Sequence, residues 1–237
     1  MRRFSLKPRR LAEPPRGVGA ALLLVAVYAG LASITRLMSY HVDGFTMFWP
    51  ANGAVVVAML ILPYRSCLAV LLTCFSINMG LNLLTNYAVF DSWVISGLNI
   101  FVSYMTAVLT RRLCGATTDL SRLRRLAVFA PVAFLSAGLE AGVGEVIFPT
   151  GKVIAEVLHD WLQWALCDGL GLLLSTPAIL LSFKNYREAD RSEASSLERW
   201  GLVVGAALFT MSSFAFLQTP YFLLIFPILG SRLNHSQ

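Results

Sequence analysis

Two acids sit deep in apolar stretches of this chain, where an ionisable group has no water to stabilise its charge. Glu140 lies near the middle of the run Leu126–Phe148, and Asp168 about two turns into the run Trp161–Phe183. Glu145 lies nearer the end of the first of these runs. Burying an acid in a bilayer costs at least about 2 kcal/mol, so such positions are kept for packing polarity or for sensing protons or ligands. Both readings stand for Glu140 and Asp168. Around Asp168 the residues Trp161, Trp164 and Gly171 fall at helical spacing and form one stripe. The two tryptophans lie where an aromatic belt at the membrane interface would also place them. Gly171 permits close helix approach, and Pro177 is expected to kink the helix further on.

A second polar constellation is amide-rich. Asn78 and Asn82 are spaced i, i+4 on one helix face, and Ser96, Asn99 and Ser103 are similarly aligned in the next run. Such groups commonly bond across helices, each contributing roughly 0.6–2 kcal/mol. A third feature, Phe48-Trp49-Pro50-Ala51-Asn52-Gly53, opens an apolar run with stop-start chemistry that suggests a broken or re-entrant beginning.

No phosphate-binding glycine loop, nucleophile elbow or HExxH motif occurs, so no catalytic residue is assigned. The three histidines, His41, His159 and His235, are scattered, although His41 and His159 fall on the same predicted side. The four cysteines, Cys67, Cys74, Cys114 and Cys167, form no CxxC pair and have no nearby histidine. Neither a metal site, a cofactor nor a disulfide framework is expected.

The elements that must position these residues are transmembrane helices. Of 237 residues 57% are hydrophobic and 14% charged, with mean hydropathy +0.67. Soluble domains average roughly 45–50% apolar and 25% charged residues. The apolar runs are Gly17–Arg36, Phe45–Leu62, Cys67–Val89, Trp93–Thr110, Leu126–Phe148, Trp161–Phe183 and Trp200–Leu217. Several reach the roughly 17–25 residues a helix needs to cross a bilayer. The first is longer than the about 7–15 residues of a signal-peptide core, so Gly30-Leu31-Ala32 is read as part of a retained span. The last run, Tyr221–Gly230, is too short to span and contains Pro227, so it reads as half a helix or a span cut short.

The net charge of +6 is distributed as topology requires, without the aromatic-interleaved basic motif of a nucleic-acid binder. Arg2, Arg3, Lys7, Arg9, Arg10 and Arg16 precede the first run, and Arg111, Arg112, Arg122, Arg124 and Arg125 share one loop. With residues 1–16 as a cytoplasmic leader, every Lys and Arg except Arg36 and Lys152 falls on the cytoplasmic side. The opposite loops carry His41, Asp43, Asp91, Glu156, His159 and Asp160. Residues 184–199 mix both signs and read as a solvated loop or short surface helix. The expected fold class is all-α: a polytopic transmembrane helix bundle of about seven to eight spans with its N-terminus in the cytoplasm.

Taken together, these segments resemble the membrane-associated sensor (MASE) domains of bacteria, first type. That family's second span opens with Trp-Pro-x-x-Gly, here Trp49-Pro50-Ala51-Asn52-Gly53. A later span carries Trp-x-x-x-Asp-x-x-Gly and then Pro, here Trp164, Asp168, Gly171 and Pro177. Asn99 upstream of Arg111-Arg112 matches a third pattern. The chain departs from the family at Val102, where an acid is common, at Ser66-Cys67, where Trp-Pro is common, and at Glu140, where a small or apolar residue is usual.

The resemblance implies a multi-pass sensory input domain of the bacterial inner membrane, with residues 17–230 as the sensor-like domain and 231–237 as a tail. Family members continue into another span and a cytoplasmic histidine kinase, diguanylate cyclase or cyclic-di-GMP phosphodiesterase, none of which this sequence contains. The implied partners are the lipid bilayer, an unidentified small-molecule or physical signal, a cytoplasmic effector domain or separate signalling protein, and a homodimeric second copy. The candidate sensing residues are Trp49, Pro50, Asn52, Gly53, Trp164, Asp168 and Gly171, with Asn78, Asn82, Asn99 and Glu140 behind them. The alternative reading is a small transporter or permease component, resting on the intramembrane acids and the Pro and Gly breaks.

Overall fold

The computed structural model describes residues 17–40, 48–115, 120, 123–148 and 153–188. Among these residues there are six α-helices and no strand: α1 (Gly17–Tyr40), α2 (Ala51–Ile61), α3 (Tyr64–Leu84), α4 (Val89–Cys114), α5 (Leu123–Ile147) and α6 (Ile154–Glu188). All but α2 contain stretches long and apolar enough to cross a membrane. The leader, the seventh run Trp200–Leu217 and the half-length run Tyr221–Gly230 lie outside the described residues.

The second apolar run does not form the span expected over Phe45–Leu62. Its helix has 11 residues, about 16 Å at 1.5 Å per residue, roughly half the hydrocarbon thickness of a bilayer. Prolines set both limits. Pro50 occupies the N-cap position, and Leu62, which precedes Pro63, is extended at φ −89°, ψ 151°. A proline disfavours helical geometry in the residue before it, so α2 stops there and α3 starts directly after Pro63. At the other extreme, α6 begins at Ile154 rather than Trp161 and continues into the mixed-charge segment as far as Glu188. It passes Pro177 as one continuous helix.

Contacts between side chains fix the helix directions. Gly17 at the start of α1 lies beside Pro63 and Ser66 at the start of α3, while Arg36 meets Asn82 at their far ends, so α1 and α3 run parallel. Asn52 meets Asn99, and farther along Met59 and Leu60 meet Arg111, so α2 and α4 are also parallel. Arg65, Arg111 and Arg112 therefore gather at one end of the bundle, and Arg36, Trp49 and Asp91 at the other.

Burial follows the helical period. On α1, Ala20, Leu24, Tyr28, Ala32 and Thr35 are buried at every third or fourth position, while Leu22, Leu23 and Leu37 are exposed. On α3 the buried face is Val70, Cys74, Asn78 and Asn82, and Leu68, Leu72 and Leu83 face outward. Contiguous exposed leucines on helices of spanning length are the lipid-facing surface of a multi-pass membrane protein. The short helix is the opposite case. All residues from Ala51 to Leu60 are buried, and α1, α3 and α4 pack around it. It is the axis of the bundle.

Candidate functional site

Several of the polar groups buried in this bundle converge on the first turn of α2. Asn52 is fully buried and donates through Nδ2 to Asn99 Oδ1 on α4 at 2.7 Å, with Asp168 Oδ1 on α6 at 3.4 Å. Asn99 is held in turn by a bond from its Nδ2 to the Ile95 carbonyl at 3.0 Å. Ser103 donates to the Asn99 carbonyl at 2.8 Å and lies 3.4 Å from the Asn52 carbonyl. The Glu140 carboxyl on α5 lies within hydrogen-bonding reach of Asp168, as does the Trp164 indole. Four helices thus meet through two amides and two carboxyls.

The glycines explain how side chains from α2 and α6 come so close. A Cβ on Gly171 would collide with the Trp49 carbonyl, and the Trp49 N–H lies 3.4 Å from the Cys167 carbonyl. Reciprocally, a Cβ on Gly53 would collide with the Ser175 hydroxyl and come 2.9 Å from the Thr176 backbone nitrogen. The Trp-Pro-x-x-Gly and Asp-x-x-Gly segments are therefore two halves of one interlock. Each leaves out the side chain that would collide with the other segment. On the α5 side, the Trp164 ring fills the space over Gly144, and Trp161 donates its indole N–H to the Gly138 carbonyl at 2.9 Å. These tryptophans pack between helices, which an interfacial belt alone would not require.

The cluster continues along α4 as a polar seam. Ser92, Ser96, Asn99, Ser103, Thr106 and Thr110 are all buried and alternate at spacings of four and three residues. That is the 3.5-residue period of a helix keeping one face on its neighbours. Ser96 satisfies its hydroxyl on the Ser92 carbonyl at 2.7 Å, whereas the hydroxyls of Ser92, Thr106 and Thr110 have no partner among the described residues. At the far end of the seam the guanidinium of Arg111 donates to the carbonyls of Met59 and Leu60, closing the C-terminus of α2.

The MASE1 family profile matches residues 18–236, almost the whole chain. The chain belongs to the MASE1 family. MASE1 is a membrane sensory domain of signalling proteins. Neither a curated protein nor a solved structure matches the chain.

Within this MASE1 domain the structure brings together Trp49, Pro50, Asn52, Gly53, Asn99, Glu140, Trp164, Asp168 and Gly171 from four separate segments. It sets Asn78 and Asn82 apart, on the face of α3 that meets α1. Asn82 accepts a bond from Arg36, and the Asn78 amide has no partner among the described residues. His41 lies outside the described residues, and His159 is exposed on α6. Four further residues, Arg36 and the outer members of the α4 seam, are not evident from sequence motifs. Arg36 stands out there only as one of two cations on the wrong side of the charge alternation. The outer members of the α4 seam, Ser92, Thr106 and Thr110, were detectable by extending the Ser96–Asn99–Ser103 spacing in both directions.

Proposed function

We propose that this MASE1 domain is the input of an inner-membrane signalling system. Its N-terminus lies in the cytoplasm, and it regulates a cytoplasmic output such as a histidine kinase or a cyclic-di-GMP enzyme. The observation that carries the reading is the single hydrogen-bonded centre, Asn52 with Asn99 and Asp168, joining a fully enclosed short helix to two spanning helices. A signal shifts a bundle between packings only by interacting differently with each. A centre on which α2, α4, α5 and α6 all depend is where a small change in hydrogen bonding reaches every one of them. The acids and amides suit recognition: they offer donors and acceptors around Asp168, without a nucleophile held by a base.

A chimera joining this chain to a diguanylate-cyclase domain tests the proposal, with cellular cyclic-di-GMP as the readout. Asn52→Ala and Asp168→Asn each remove or alter interhelical bonds worth roughly 0.6–2 kcal/mol, which biases a two-state equilibrium by about threefold to thirtyfold. Basal output should move by at least about threefold while the protein stays in the membrane at parental abundance. Unchanged output from both variants would sink the proposal that this centre is the switch.

A further inference from the structure

A second polar group of side chains lies at the end of the bundle where α1 and α3 finish, and the Asn52–Asp168 centre does not use it. Arg36 is half-buried near the end of α1. Its guanidinium carbon sits 5.5 Å from the centre of the Trp49 ring and 5.2 Å from that of Tyr87, and it donates to Asn82 Oδ1. Local backbone chemistry sets this arrangement. Helix α3 ends at Leu84 with Thr85 as its C-cap, and Asn86 takes up φ 64°, a left-handed conformation that asparagine tolerates. The Tyr87 N–H returns to the Asn82 carbonyl at 3.1 Å and the Asn86 N–H to the Leu83 carbonyl at 3.1 Å. That paired closure is a Schellman motif, and it turns the chain so that Tyr87 meets Arg36.

Interfacial stacking would account for an arginine between two aromatic rings. It does not account for the donors. Arg36 Nε, Trp49 Nε1 and Asn82 Nδ2 are each shielded from solvent and have no hydrogen-bond acceptor among the described residues. They belong to one cation and the two side chains that touch it. Asn82 is fully buried and Trp49 is 6% exposed. Buried N–H groups without acceptors are rare, and three sharing one cation form a concentrated excess of donors and positive charge. No carboxylate is bonded to Arg36 among the described residues. Tyr87 is 39% exposed, so the group lies one ring away from the surroundings of the bundle.

We infer that Arg36, Trp49 and Asn82 form an oxyanion-binding site that takes a phosphate or carboxylate group. The oxygens of the anion accept from Arg36 Nε, the Trp49 indole and the Asn82 amide, and its charge balances the guanidinium. Trp49 links this site to the interlock, because its carbonyl rests on Gly171. Occupancy at Arg36 therefore bears on the packing of α6. That consequence rests on the sensor reading. The binding itself does not.

The test uses the full chain purified in a phosphate-free maltoside detergent, with the melting temperature followed by tryptophan fluorescence. Inorganic phosphate and acetate are titrated against chloride at matched ionic strength. In parallel, phosphatidylglycerol and phosphatidylcholine nanodiscs ask whether a lipid headgroup supplies the anion. A saturable rise with phosphate, acetate or phosphatidylglycerol, absent with chloride and phosphatidylcholine, is expected. Arg36→Gln should weaken binding at least about tenfold, as for a lost charge-assisted hydrogen bond. Trp49→Phe keeps the ring over the cation but deletes one donor, and should weaken binding by about threefold to tenfold. If Arg36→Gln does not fold, Trp49→Phe decides. No response in the parent, or parental binding by Trp49→Phe, overturns the inference. So does a phosphate response that appears only in Asp43→Asn, because the chain's own carboxylate would then fill the site. Intact binding together with an unresponsive cyclase chimera would leave the site standing and remove the sensing role alone.

Discussion

Asn52 divides its amide hydrogens between α4 and α6, which makes it the residue with the most to lose on substitution. Asn52→Leu keeps the volume but leaves Asn99 Oδ1 and one Asp168 oxygen without their donor. The expected loss is about 1–2 kcal/mol, read as a shift in the detergent-induced unfolding midpoint. Asp168→Asn preserves an acceptor oxygen facing Asn52 and should cost less than about 1 kcal/mol. Equal losses from both variants would mean that bulk rather than hydrogen bonding holds the centre. At this scale the sequence is informative about which residues matter and silent about their pairing. A polar side chain in an apolar run is conspicuous because it is costly. Asn52 and Asp168 are 116 positions apart, however, and nothing in either segment names the other. Asn78 and Asn82 show the converse. They share a helix face as their spacing requires, yet only Asn82 has an interhelical partner among the described residues.

Among the elements, α2 and α6 owe their contact to two glycines, and the contact predicts a sharp contrast. Gly171→Ala drives a methyl group into the Trp49 carbonyl, a backbone atom that cannot rotate away. Overpacking of this kind costs typically about 1–3 kcal/mol. Gly97→Ala on α4 meets nothing within 4 Å, so it should leave stability unchanged or raise it by up to about 1 kcal/mol through helix propensity. Thermal unfolding in detergent measures both, and a destabilised Gly97→Ala or a neutral Gly171→Ala would contradict the interlock. Hydropathy alone misjudges α2, because an apolar run reads the same whether lipid or protein surrounds it. The prolines at positions 50 and 63 carried the information about its length. The continuation of α6 beyond Phe183 was hidden for another reason. Charged residues there mark the end of the apolar environment but do not oppose helix formation.

For the whole molecule, the directions of α1 to α4 place Arg65, Arg111 and Arg112 together at one end and Asp91 at the other. The charge alternation read from the loops is thus a property of the folded bundle. We propose that the Arg65–Arg111–Arg112 end faces the cytoplasm, where Lys and Arg are retained. Alkaline-phosphatase fusions test it. A junction after Tyr87 should be active, and a junction after Gly115 inactive, with the reverse result overturning the orientation.

The all-round burial of α2 also bears on how the protein is made. A segment of 11 residues is too short to arrest by itself in the hydrocarbon layer, so it has to leave the translocation channel clasped between α1 and α3. Its amide meets Asn99 47 residues later but waits for its second partner, because Asp168 is synthesised 116 residues after it. At about 5–20 residues per second that interval is roughly 6–23 seconds. During this time the future axis of the bundle is an unfinished surface. The nascent chain is most exposed to quality-control proteases until α6 arrives and closes over it.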